Sequence, residues 1–171
     1  MTRAYPVLFG SLLAVLAFVT VPHDRPAIAT TREIVAVFVG ATSCCRALTP
    51  SLRPQLESLR LLLAARAREE GAEFRMVGVS IDWDAQAGWD YLRPLGHFDE
   101  VSVGSNWRNL QSETLIWRDR TAEPVVPQLV VYRHQIESDR EAMSFSPRER
   151  LKVLKGVPEI TEWVRAGATI R

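Results

Sequence analysis

Ile34-Val35-Ala36-Val37-Phe38-Val39 runs directly into Gly40-Ala41-Thr42-Ser43-Cys44-Cys45, and this junction decides the fold. A continuous apolar run rich in β-branched residues reads as a strand buried on both faces of a sheet. Leu48, Leu52, Leu56, Leu59 and Leu63 follow at steps of four, four, three and four, which is one face of a helix. The pattern predicts a helix opening at Arg46-Ala47-Leu48 and stopping at Gly71. Pro50 and Pro54 each remove a donor inside it and should bend it. The two cysteines therefore stand between a strand and a helix N-terminus. There the positive end of the macrodipole and free N–H groups favour thiolate over thiol. Arg46 either adds positive charge to that end or is a solvated first-turn residue.

Further along, Phe74 to Ile81 reads as a second buried strand. Asp82 or Asp84 is placed to cap a short helix carrying Ala85, Trp89, Leu92 and Leu95. Glu100 to Val103 reads as a short strand, Asn106 as the cap of a helix reaching Trp117, and Thr121 to Val126 as a loop. Gln128 to Tyr132 is a third strand, Ile136 to Phe145 a polar turn or a hairpin partner, and Ser146-Pro147-Arg148-Glu149 a capping box. That box predicts a final helical region reaching about Ala166, interrupted near Gly156. The order is that of an α/β domain whose first two strands form a right-handed βαβ unit.

The chain has 171 residues, 21 Lys+Arg against 20 Asp+Glu, and a net charge of +1. With the two signs interspersed, nothing points to nucleic acid. Two cysteines cannot form a disulfide scaffold, so stability has to come from a hydrophobic core. Residues 1–29 stand apart: Arg3, an apolar run from Tyr5 to Val21, a polar His23-Asp24-Arg25-Pro26, then Ala27-Ile28-Ala29. The run is long for a signal core and short for a membrane span, and the small-x-small end fits a cleavage signal. The segment reads as a signal peptide or an N-terminal membrane anchor, with a structural helix as the bland alternative. Either of the first two puts residues 30–171 outside the cytoplasm, secreted or tethered, in an oxidising compartment.

Ala41-Thr42-Ser43-Cys44 is similar to the Ala-Thr-Trp-Cys lead-in of exported thioredoxin-like oxidoreductases. Cys45-Arg46-Ala47-Leu48-Thr49-Pro50 resembles that family's second cysteine and helix-kinking proline. Val126-Pro127, just before the strand Gln128–Tyr132, sits where the family carries its cis-proline. The resemblance covers about Ile34 to Ala166. It implies a thioredoxin-like three-layer α/β sandwich, with a central mixed sheet and helices on both faces. It also implies thiol–disulfide chemistry at Cys44 and Cys45, with Thr42, Ser43, Val126 and Pro127 shaping the substrate groove. The departure is the spacing. Either Cys44 and Cys45 match the family's two cysteines with the intervening residues missing, or Cys45 matches the second and Thr42 takes the place of the first.

A disulfide usually spans Cα atoms roughly 4.4–6.8 Å apart, whereas adjacent residues sit about 3.8 Å apart. A Cys44–Cys45 bond closes a strained eight-membered ring, which favours a labile or oxidising pair over a structural one. Cys44, in the first position, is the expected nucleophile, and Cys45 or an external thiol the resolving group. The expected partner is a protein or small thiol or disulfide substrate, with a membrane redox protein as a further candidate. Two other readings stand beside this one: a non-catalytic thioredoxin-like binding module, and a soft-metal thiol pair lacking a third ligand at metal spacing. No cofactor is called for, since there is no Gly-rich phosphate loop. His97 and His134, outside any motif, read as surface or loop residues. Trp83, Trp89, Trp107 and Trp117 read first as core packing and second as a substrate-facing aromatic surface.

Overall fold

A computed structural model of the chain describes residues 28–45, 48–118, 123–139 and 141–170. Strand β1 (Ala29–Gly40) leads to a four-residue helical turn, α1 (Thr42–Cys45), and the long helix α2 (Thr49–Glu69). Next come β2 (Glu73–Ser80), α3 (Ala85–Leu92) with a 3-10 turn at Arg93–Leu95, and β3 (Glu100–Ser102). A 3-10 turn at Asn106–Arg108 precedes α4 (Leu110–Ser112), which runs on as a π-helical turn, Glu113–Trp117. Strands β4 (Gln128–Ser138), β5 (Met143–Phe145) and β6 (Glu149–Lys155) and helix α5 (Gly156–Arg165) complete the domain.

The sheet runs β3-β2-β1-β4, and β4's outer edge pairs with β5 at one end and β6 at the other. β1, β2 and β3 are parallel, while β4 is antiparallel to β1 and β6 antiparallel to β4. A βαβ half and a ββα half thus meet at the β1–β4 ladder, and the fold is a thioredoxin-like α/β sandwich. Side-chain alternation along β1 divides the core between two faces. Ile34, Ala36 and Phe38 pack with α2, α3 and α5, while Val35, Val37 and Val39 pack with β2, Leu115 and Ile116. All six are fully buried, which is why no polar residue interrupts the run. On α2 the four leucines Leu52, Leu56, Leu59 and Leu63 are at most 2% exposed. Each contributes about 1.5–3 kcal/mol of burial.

Several sequence readings need correction. α2 opens at Thr49, with Pro50 in the first turn, where an N–H has no intrahelical partner anyway; only Pro54 lies within the helix. Residues 46 and 47 lie outside the described residues, and with them the reading of Arg46. Asn109, not Asn106, caps α4 by accepting from Ser112 N at 2.8 Å; Asn106 itself has φ +53°. The capping box at Ser146–Glu149 does not open a helix. Glu149–Lys155 is strand β6, and helix begins only at Gly156. Residues that can form an isolated helix here complete a ladder whose partner, β4, carries fully buried Leu129 and Val131. Leu151 is the extra residue of a bulge between the pairs Val131–Lys152 and Tyr132–Arg150. For Ile136 to Phe145 the hairpin reading holds: β4 continues to Ser138 and β5 returns beside it.

The residue before the expected domain boundary, Ala29, already pairs with Ser138 in the β1–β4 ladder. Residues 1–27, which carry the signal or anchor reading, lie outside the described residues. Among the described residues, no helix is long and apolar enough to cross a membrane.

Candidate functional site

The site is built at the C-terminal end of the central strands. β1 ends at Gly40, β2 ends at Ser80, and Ile81 N donates to Gly40 O at 3.0 Å, so the two departing chains stay side by side. β1 then turns into α1, where Cys45 N donates to Ala41 O at 3.0 Å. Cys44 and Cys45 are joined in a vicinal disulfide, with Cα atoms 3.8 Å apart. Their environments differ sharply: Cys44 is exposed, whereas Cys45 is fully buried in the cluster beneath α2. Cys44 Sγ lies 3.7 Å from the Ala41 carbonyl oxygen. The pair lies in α1, ahead of Thr49, where α2 begins.

Asp82, immediately after β2, anchors this turn, a role the sequence did not assign to it. Its Oδ1 and Oδ2 accept from Thr42 N at 3.2 and 3.0 Å, and its Oδ2 accepts from Thr42 Oγ1 at 3.0 Å. Ser80 Oγ donates to the same Oδ2 at 2.6 Å and accepts from Asp82 N at 3.1 Å. The capping task falls to Asp84, which accepts from Ala87 N at 2.8 Å. Thr42 is therefore committed to Asp82, and Ser43 is exposed on the outer side of the turn. The signal that could have singled out Asp82 is positional: the end of a parallel strand beside β1 necessarily faces whatever leaves the end of β1.

Behind the turn, helix α3 brings Tyr91 against the end of β1. A methyl carbon on Gly40 would run into the Tyr91 hydroxyl, and its ring carbons would lie at 2.9 and 3.0 Å. Only glycine leaves this room. Gly88, on the same helix, lets α3 approach Ser80, whose Oγ would lie 2.9 Å from an added Cβ. The Tyr91 hydroxyl is buried, and its pKa is raised, first by burial and then by the Asp82 charge.

The Val126–Pro127 peptide bond is cis, and Pro127 is buried. The next residue, Gln128, pairs with Val39, which places Pro127 at the end of β1 that leads into the cysteine turn. Val126 packs against both core clusters, and the Pro127 carbonyl accepts from Gly156 N at 2.7 Å. Cys44, Cys45, Thr42, Val126 and Pro127 thus converge at one end of the sheet.

Three of the four tryptophans between β2 and β4 are exposed rather than in the core: Trp83 is 70% exposed, Trp117 49% and Trp89 42%. The reason is local. Trp83 follows Asp82 directly, and its loop is held to the next by Asn106 N to Asp82 O and Ser105 N to Trp83 O, both at 3.2 Å. Trp117 Nε1 donates to Trp107 O at 2.7 Å, with the two rings edge to face.

His134 is also not a surface residue. It is buried on β4 opposite Glu33, with Nε2 2.6 Å from Glu33 Oε2 and its ring stacked on Phe145. Arg75 grips the same carboxylate through Nε and Nη2, both at 2.9 Å, and Glu100 through Nη1 at 2.7 Å. Burial works against the Arg75 charge, but Glu33 and Glu100 more than offset it and raise its pKa. This cluster lies in the first half of β1, away from the cysteine end, and pins β1, β2, β3 and β4 together. His97 is exposed, 3.3 Å from Asp99. Among the described residues, no group of three or more His, Cys, Asp or Glu is placed to hold a metal ion.

No family model matches the chain, and no curated protein matches it. Among solved structures it is similar to BsSco, reported in work on a disulfide switch and described as a member of the Sco family of cytochrome c oxidase assembly proteins. The identity is 14% over 81% of this chain and 82% of that chain, with a TM-score of 0.35.

Proposed function

We propose that the protein exchanges its Cys44–Cys45 disulfide with thiols of a partner, with Cys44 as the exchanging sulfur and Cys45 as the resolving one. The observation that carries this reading is the asymmetry of the pair: one sulfur exposed, its bonded neighbour fully buried, at a strand end flanked by Pro127. An incoming thiolate can reach Cys44 only, so attack is directed and Cys45 is the leaving group. The adjacency of the two residues keeps the resolving thiol next to the mixed disulfide, where closure competes well with a second external thiol. The partner is a protein or small thiol or disulfide, and the N-terminal apolar segment holds the domain outside the cytoplasm, released or tethered near a membrane redox partner.

The test is trapping. Cys45→Ser, oxidised with a chromogenic disulfide, should form a stable mixed disulfide at Cys44, whereas Cys44→Ser should react far more slowly. The intact pair should equilibrate with dithiothreitol within minutes at neutral pH. A pair that resists reduction in the folded state would sink the proposal. The exposed tryptophans Trp83 and Trp117 favour a second reading, a binding module that grips a polypeptide without exchange. That reading has partner capture unchanged in a Cys44→Ser/Cys45→Ser variant.

A further inference from the structure

One polar group beside the disulfide has no use in the exchange just described. Tyr91 is 2% exposed, and among the described residues its hydroxyl has no hydrogen-bond partner. Helix α3 lies against α1, the Tyr91 oxygen abuts Gly40, and Tyr91 shares its hydrophobic cluster with Cys45. The neighbouring carboxylate of Asp82 is already engaged by Thr42 and Ser80. A buried hydroxyl with no partner disfavours the state that contains it. A group kept under that penalty in the disulfide state is explained if the other state of the same site gives it a partner. Reduction supplies a better one: the Cys45 sulfur leaves as a thiolate, a far stronger acceptor than a disulfide sulfur.

We propose that Tyr91 is a redox-state-specific hydrogen-bond donor, unpartnered when the pair is oxidised and donating to the Cys45 sulfur once the pair is reduced. The inference rests on the exchange reading. In that step a thiolate from an external dithiol attacks Cys44 Sγ, the Cys44–Cys45 bond breaks, and its electron pair leaves on Cys45 Sγ. The second thiolate of the dithiol then attacks its own sulfur in the mixed disulfide and releases Cys44. The dithiol gives up two electrons and two protons and becomes a disulfide, and Cys44 and Cys45 take up both as two thiols. Cys45 Sγ emerges where water does not reach, and a thiolate there is strongly disfavoured without a donor. Tyr91 meets it with an O–H that it keeps throughout, because burial and the Asp82 charge hold its pKa high. Tyr91 is a positioning residue here; it transfers no proton.

The experiment is Tyr91→Phe in the full chain, read in both redox states. The equilibrium constant with dithiothreitol should shift about tenfold against the reduced form, equivalent to about 30 mV. Urea unfolding should show the oxidised form unchanged or more stable and the reduced form less stable. In a Cys44→Ser background, Tyr91→Phe should also raise the pKa for alkylation of Cys45 under mild urea. A merely structural tyrosine moves the stability of both forms equally and leaves the equilibrium constant within twofold. That result overturns the inference while leaving the exchange reading intact. A wild-type pair that does not equilibrate with dithiothreitol at all overturns both.

Discussion

Replacing Asp82 with alanine should loosen the cysteine turn while leaving the sheet in place. The carboxylate holds Thr42 N, Thr42 Oγ1 and Ser80 Oγ. A hydrogen bond to a charged acceptor is worth about 1.5–3 kcal/mol when it cannot be replaced. Thr42 is half-buried, so water recovers much of its two bonds; Ser80 is fully buried and recovers little. Counting Ser80 in full and Thr42 at a fraction gives a loss of about 2–4 kcal/mol. At a urea m-value of about 2 kcal/mol/M that is a midpoint about 1–2 M lower. Asp82→Asn should lose roughly half as much, about 1–2 kcal/mol, because the carboxamide keeps one acceptor oxygen but sets its NH2 against the Thr42 N–H. The assay is equilibrium urea unfolding of the disulfide form at neutral pH, followed by tryptophan fluorescence. A loss under about 0.5 kcal/mol for the alanine variant, the size of an ordinary surface substitution, would refute the anchoring role. A second readout separates charge from shape. With Cys45→Ser in the background, both Asp82 variants remove a negative charge near Cys44, and the alkylation profile should move to lower pH.

Three further outcomes follow from the same geometry. Gly40→Ala forces Tyr91 away from the end of β1 and should cost about 1–3 kcal/mol by urea unfolding. Adding Tyr91→Phe should restore only part of that, since the ring carbons would still be 2.9 and 3.0 Å from the new methyl. Arg75→Met leaves Glu33, only 5% exposed, without its bidentate partner and should cost about 3 kcal/mol, at the low end for a broken buried pair because Arg75 is itself about a third exposed; an unfolding midpoint equal to wild type would contradict the cluster's role. For Asp99, burial opposes ionisation, but Arg60 and Met76 N–H outweigh it and hold the carboxyl below its ordinary value of 3.8. A depressed carboxylate pKa means that its stabilisation is full above the ordinary value and is lost as pH falls through the folded value. Asp99→Asn should therefore flatten the acid limb of stability below about pH 4 without changing its slope near pH 7.

The central architecture was legible because its signals are local. Ile34–Val39 is apolar on both faces for the plain reason that both faces of β1 are covered, and the leucine ladder of α2 repeats the period of the helix it forms. The misread segments share one cause: their state is set by a distant partner. Glu149–Lys155 carries a helix-capping sequence ahead of it, yet it pairs with β4 because that edge would otherwise leave backbone groups unpaired over a buried row. His134 has no motif around it in the chain because its partner, Glu33, is 101 residues away.

The same reasoning separates what the sequence says about the cysteines from what it leaves out. Adjacent cysteines after an apolar strand mark the candidate site, and position alone predicts that the first is the more exposed. The groups that hold the turn, however, reach it across the β1–β2 gap. Asp82 takes the Thr42 N–H just ahead of the pair, so that donor is not open to a Cys44 thiolate. That weakens the expectation of a strongly acidic Cys44 and turns attention to the buried half of the pair, Cys45. The measurement that weighs the two halves is the alkylation profile of each single-thiol variant. An acid-shifted Cys44 would show that local helix geometry dominates. An ordinary Cys44 beside a Tyr91-dependent Cys45 would show that the packing behind the turn sets the chemistry.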